Sequence, residues 1–165
     1  MKTLLAPLCL AAITASFAPP AAAQAGLTER NISLQLARVI ADGAMDACKA
    51  DKYDISVVIL DRTGTVRLAM RADSASPHNF DLARRKAYTA RTFRRSSADW
   101  AKRMSAEPEL SGQKSLVEVI PLGGGLPINF GDETIGAIGV SGAPGQDKDE
   151  ACAKAGIAKA ANLLK

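Results

Sequence analysis

The fold class this sequence predicts is α/β in the α+β sense: one antiparallel sheet flanked by helices. Three observations carry it. Segments of helical period stand near both ends of the chain. Between them lie short runs rich in β-branched residues, joined by turn-forming clusters at 61–64 and 131–133. Such short connections make hairpins, whereas parallel strands need long crossovers. No internal repeat and no long linker divides the chain, so one domain is expected.

Residues 1–23 read as a secretory signal peptide. Lys2 gives a short positive start, residues 4–17 are mostly apolar, and Ala21, Ala22 and Ala23 offer small residues for cleavage before Gln24. The apolar run is too short, and too soon ended by Pro19 and Pro20, to span a bilayer, and no later segment is longer. The remaining domain, 24–165, is long enough for a real core. Without Lys2, the 21 basic residues become 20 against 17 acidic, a net charge of +3. That modest charge, with only 4% aromatic residues, argues against a nucleic-acid partner.

Ser33 is a suitable N-cap for a helix over 34–49, in which Ala37, Ile40, Ala41, Ala44 and Cys48 share one face. Residues 55–60 form a strand. Asp61, Arg62, Thr63 and Gly64 turn the chain, and 65–71 return as the second strand. After a loop with Pro77, residues 80–93 are helical, with Asn79 or Asp81 as cap and Ala83, Lys86, Ala87 and Ala90 on a common side. Ser97 is expected to cap a short helix to Met104. Residues 115–120 read as a strand, and 126–130 as another, whose Pro127 suits a sheet edge. Residues 134–142 form the last strand. A helix capped by Asp147 or Asp149 then runs to Leu164, its Cys152, Gly156 and Ala160 leaving room for close helix packing.

Cys9 belongs to the signal. Cys48 and Cys152 remain, on the first and last helices. If those helices pack antiparallel, the two can bridge in an oxidising compartment; otherwise they are small buried thiols.

Three stretches carry a resemblance. They are the run from Asp81 through Ala83, Arg85, Lys86, Ala87, Tyr88 and Thr89 to Ala90; Gly124, Gly125, Leu126, Pro127 and Ile128; and Gly136 to Gly142 followed by Asp149, Glu150, Ala151, Cys152 and Ala153. With the opening helix and the 57–61 strand they resemble the GlcG/HbpS family of haem-binding proteins, related to the C-terminal domain of PduO-type proteins, over nearly all of 30–165. The resemblance implies a profilin-like fold with a five-stranded antiparallel sheet between helices. It also implies homo-oligomers and, for several members, haem binding.

His78 is the only histidine in the chain. In this context it is the first candidate for an axial haem ligand; the bland alternative is a loop histidine at a helix entrance. Arg84, Arg85, Lys86 and Arg91 are candidates for the haem propionates. Arg84, Arg91 and Arg95 fall near one helical stripe and could face one ligand, or form a solvated face. Lys86 has apolar neighbours at helical spacing, which fits a bond to a sheet carbonyl. Ser141 stands in a G-x-S-x-A pattern, but one histidine and this order of elements do not make a hydrolase. The glycines 123–125 lack a following Lys-Ser or Lys-Thr, so they are not a phosphate loop. No set of cysteines and histidines suits zinc.

The sequence therefore reads as an exported, periplasmic or secreted, haem-binding protein without substrate turnover. Its rivals are a module binding a small anionic carboxylate through the basic helix, and an enzyme acting on such an acid with Lys86 or His78 as acid/base.

Overall fold

A computed structural model of the chain describes residues 26–165. The expected signal peptide, with Cys9, lies outside the described residues. Helix α1 (Leu34–Ala50) begins at Ser33, whose Oγ accepts from the Leu36 N–H at 3.1 Å. Strands β1 (Ser56–Asp61) and β2 (Val66–Arg71) form a hairpin. The Asp61 carboxylate builds the turn by accepting from the Thr63 and Thr65 N–H groups at 2.8 and 3.1 Å. Then come α2 (His78–Phe93), α3 (Ser97–Ala106), a 3₁₀ segment Pro108–Ser115, strands β3 (Gly125–Phe130) and β4 (Glu133–Ser141), and α4 (Gln146–Lys159).

The sheet is antiparallel throughout, in the order β2-β1-β4-β3. The sandwich of helices around an antiparallel sheet is as expected, but the sheet has four strands, not five. Residues 115–120 do not join it. Val119 is buried against Trp100 and Met104. Ile120 donates its N–H to Thr89 Oγ1 at 2.9 Å, and the Val119 carbonyl accepts from Arg85 at 2.9 Å. Side chains of α2 thus satisfy the backbone that a ladder would otherwise satisfy, and the segment becomes a strap over α2 and α3. Pro127 lies on the edge strand β3, where its missing N–H costs nothing.

One face of the sheet carries α1 and α4. Its core holds Ile40, Val57, Ile59, Ile128, Ile138 and Val140, each inaccessible to solvent. Burying one such side chain contributes about 1.5–3 kcal/mol. The two helices touch through Gly43 and Gly156, and a Cβ on Gly156 would run into the Ile40 carbonyl. Cys48 and Cys152 are joined by a disulfide across this contact, with S–S 2.05 Å and Cα–Cα 5.6 Å.

The other face carries α2, packed through Ala83, Ala87 and Ala90 on Val58, Leu60 and Ala137. The approach is so close that a Cβ on Gly139 of β4 would collide with the Ala83 carbonyl. Two caps differ from expectation. Ser96, not Ser97, caps α3 by accepting from the Asp99 N–H at 3.0 Å, while Ser97 is buried and accepts from the Gly125 N–H at 2.9 Å. Neither Asp147 nor Asp149 caps α4; Gly145 does, and both acids lie in the first turn.

Candidate functional site

Helix α2 starts at His78 itself, two residues before the expected start at Phe80. Pro77 precedes it, and no side chain caps it. His78 is exposed. It stands on the rim of a pocket of about 450 Å³ formed where α2 and α4 begin and the β4–α4 connection passes between them. Leu82 and Leu122 supply apolar walls, and Asn79, Lys86, Ser141 and Asp149 line the polar part.

Lys86 and Asp149 meet under the pocket. Lys86 Nζ donates to Asp149 Oδ2 at 2.7 Å and to the Val140 carbonyl at 3.1 Å. The bond to a sheet carbonyl is the one expected for Lys86; its carboxylate partner was not visible in the sequence. Asp149 Oδ1 accepts from the Ala143 N–H at 2.9 Å. Burial pushes the Asp149 carboxyl up from its ordinary value, against the opposing pull of Lys86 and of the Ala143 and Gly142 N–H groups.

Of the five ligand candidates, the structure brings His78 and Lys86 to one pocket and places the arginines elsewhere. Arg84 pairs with Glu118 and with Asp81. Arg85 holds the Val119 carbonyl, and its Nε is buried without a partner. Arg91 donates from Nε to the Arg62 carbonyl at 2.6 Å. The expected stripe of Arg84, Arg91 and Arg95 is broken, because Arg94 turns left-handed at φ 52° and ends the helix before Arg95. Asn79 and Ser141 are pocket residues that sequence reasoning passed over in this role. The sequence offers Asn79 only as a helix cap and Ser141 only in a G-x-S-x-A pattern. Among the described residues no group of three or more His, Cys, Asp and Glu side chains could hold a metal ion, and no helix is long and apolar enough to cross a membrane.

The fold and this pocket define a class: a small protein with helices on both faces of an antiparallel sheet and a ligand-sized cleft where two helices begin. The chain belongs to the HbpS-like family, whose model, described as "Haem degrading protein HbpS-like", matches residues 32–158. A crystallised double mutant of HbpS from Streptomyces reticuli is 35% identical, with a TM-score of 0.76 over 86% of this chain and 97% of that one. An uncharacterised 15.0 kDa protein of Citrobacter freundii is 32% identical, covering 67% of this chain and 80% of its own. The crystal structure of a PduOC–haem complex shares the fold, at 24% identity and a TM-score of 0.72 over 78% of this chain and 94% of that one.

Proposed function

We propose that this is an exported haem-binding protein, with His78 as axial ligand, serving haem sensing, storage or protection against free haem. The observation that carries the reading is the exposed imidazole on the rim of the pocket of about 450 Å³, beside the apolar side chains of Leu82 and Leu122. One accessible imidazole, apolar walls and a polar floor fit a haem edge. Bound haem would supply an iron centre with redox chemistry. The residues that would hold it are His78, as iron ligand, Leu82 and Leu122, as apolar contacts, and Lys86, as a cation lining the pocket.

Among the basic residues proposed for the propionates, Lys86 lines the pocket. Arg84, Arg85 and Arg91 would first have to release Glu118, the Val119 carbonyl and the Arg62 carbonyl. Capture of an organic acid by the arginines of α2 has less support for the same reason. The Cys48–Cys152 disulfide and the pattern of residues 1–23 support export to the periplasm or beyond. Exposed Leu116 and Val117 on the strap offer a second copy an apolar surface, in keeping with a homo-oligomer.

Titration of the purified protein with hemin tests the reading. A saturable, shifted Soret band supports it, and its absence overturns it. Bleaching of that band with a supplied reductant and dioxygen, faster than that of free hemin, would show turnover and overturn the sequence's expectation of a protein without it.

A further inference from the structure

The pocket has a floor that iron ligation by His78 does not use. Asn79 is 7% exposed and Ser141 3% exposed. Both line the pocket, and neither side chain has a hydrogen-bond partner among the described residues. Behind them Ser56 pairs with Ser141 in the β1–β4 register, and its buried Oγ is also without a partner. Folded proteins seldom leave buried amides and hydroxyls unpaired. Ser56 is such a group, and in front of it the Asn79 amide and the Ser141 hydroxyl open onto the cleft and form a cradle for polar atoms.

The charge of the cradle narrows what those atoms are. Lys86 has three N–H donors and spends two, on Val140 and Asp149, while lining the pocket. Asp149 is committed on both oxygens, to Lys86 and to the Ala143 N–H. The pocket also receives the N-termini of α2, of 16 residues, and of α4, of 14, and neither has a side-chain cap. Their free N–H groups add partial positive charge. A dianion such as phosphate would face Asp149 with one ammonium already paired. A singly charged, planar group with two oxygens matches the donors better.

We propose that Asn79, Ser141 and Lys86 form a carboxylate subsite at the floor of this pocket. The amide of Asn79, the hydroxyl of Ser141 and the third N–H of Lys86 donate to a carboxylate that enters past His78. The same chemistry comes from two sources, a propionate of bound haem or a free small organic acid, and the subsite does not depend on haem being the ligand.

The test titrates the purified protein with acetate and lactate at constant ionic strength, and separately with hemin and hemin dimethyl ester. Asn79→Leu and Ser141→Ala are run alongside. A saturable rise in unfolding temperature with either acid, its affinity weakened about ten-fold or more in both variants, supports a free acid. Hemin bound about ten-fold or more tightly than its ester, with that preference lost in both variants, supports a propionate. No response to either acid, together with no preference for hemin over its ester, overturns the subsite. A response to the acids with no hemin binding keeps the subsite and removes the haem reading. Ser141→Ala deletes a single hydroxyl, and it decides the comparison if Asn79→Leu does not fold.

Discussion

Lys86 Nζ and Asp149 Oδ2 lie 2.7 Å apart at the end of the sheet, with side chains only 3% and 5% exposed. The pair ties the middle of α2 to the first turn of α4, and those two helices start at the pocket. Removing one partner leaves the other charge buried and unpaired. Lys86→Met is therefore expected to cost about 3–5 kcal/mol. The double substitution Lys86→Met, Asp149→Leu, which removes both charges, is expected to be the more stable of the two. Urea unfolding of the two variants checks this; equal losses would mean that Asp149 left without Lys86 carries no penalty.

The Asp61 turn gives a pH dependence of known sign. Burial pushes the carboxyl up, but the Thr63 hydroxyl, the Thr65 and Thr63 N–H groups and Arg67 outweigh it, so it lies below its ordinary value of 3.8. A carboxyl held lower in the folded state stabilises above its unfolded value, and that contribution is lost as pH falls through the folded one. Asp61→Asn should lose about 1–3 kcal/mol at neutral pH. The gap to the parent should narrow as the solution is taken below 3.8. Urea unfolding at pH 7 and pH 3 reads both (about 4 pH units apart).

The Cys48–Cys152 disulfide closes a sequence separation of 104 residues. Loss of a bridge over a loop of that size is expected to cost about 4–5 kcal/mol on the chain-entropy model. Thermal unfolding with and without reductant measures it. Peptide mapping of the unreduced protein should recover the two cysteines on one linked fragment.

Thr89 holds the strap. Its Oγ1 donates to the Arg85 carbonyl at 2.9 Å and accepts from the Ile120 N–H at 2.9 Å. Thr89→Val keeps the shape and orphans a buried N–H, an expected loss of about 1–3 kcal/mol. Hydrogen exchange should then quicken over residues 116–120 while the β1–β4 pairing stays protected.

The strap also marks what was legible in the sequence. Helical period named Ala37, Ile40, Ala41, Ala44 and Cys48 of α1, and Ala83, Lys86, Ala87 and Ala90 of α2, and each of these is buried. The hairpin at Asp61–Gly64 and the edge position of Pro127 followed from turn chemistry and a missing N–H. Residues 115–120 have strand composition, yet their backbone partners are Thr89 and Arg85, about 30 residues away, and no local pattern announces a side chain that replaces a ladder. The site divides in the same way. His78 was visible as the lone histidine, and Lys86 as a cation among alanines. Asn79, Ser141 and Asp149 become pocket residues only when β4, α2 and α4 meet. The arginines of α2 stood out by charge, but charge alone does not show that Glu118 and two backbone carbonyls already hold Arg84, Arg85 and Arg91.

Comparison of hemin binding by the parent and by His78→Ala tests the central claim most directly. Tyr88 and Met70 also carry side chains of iron-ligating type, and neither lines the pocket, while Cys48 is committed to the disulfide. The account predicts a saturable Soret band that is lost or displaced in His78→Ala while the variant unfolds at the parent's temperature. An identical band and affinity in the variant would contradict His78 as the ligand, and no saturable band in either protein would contradict haem binding itself.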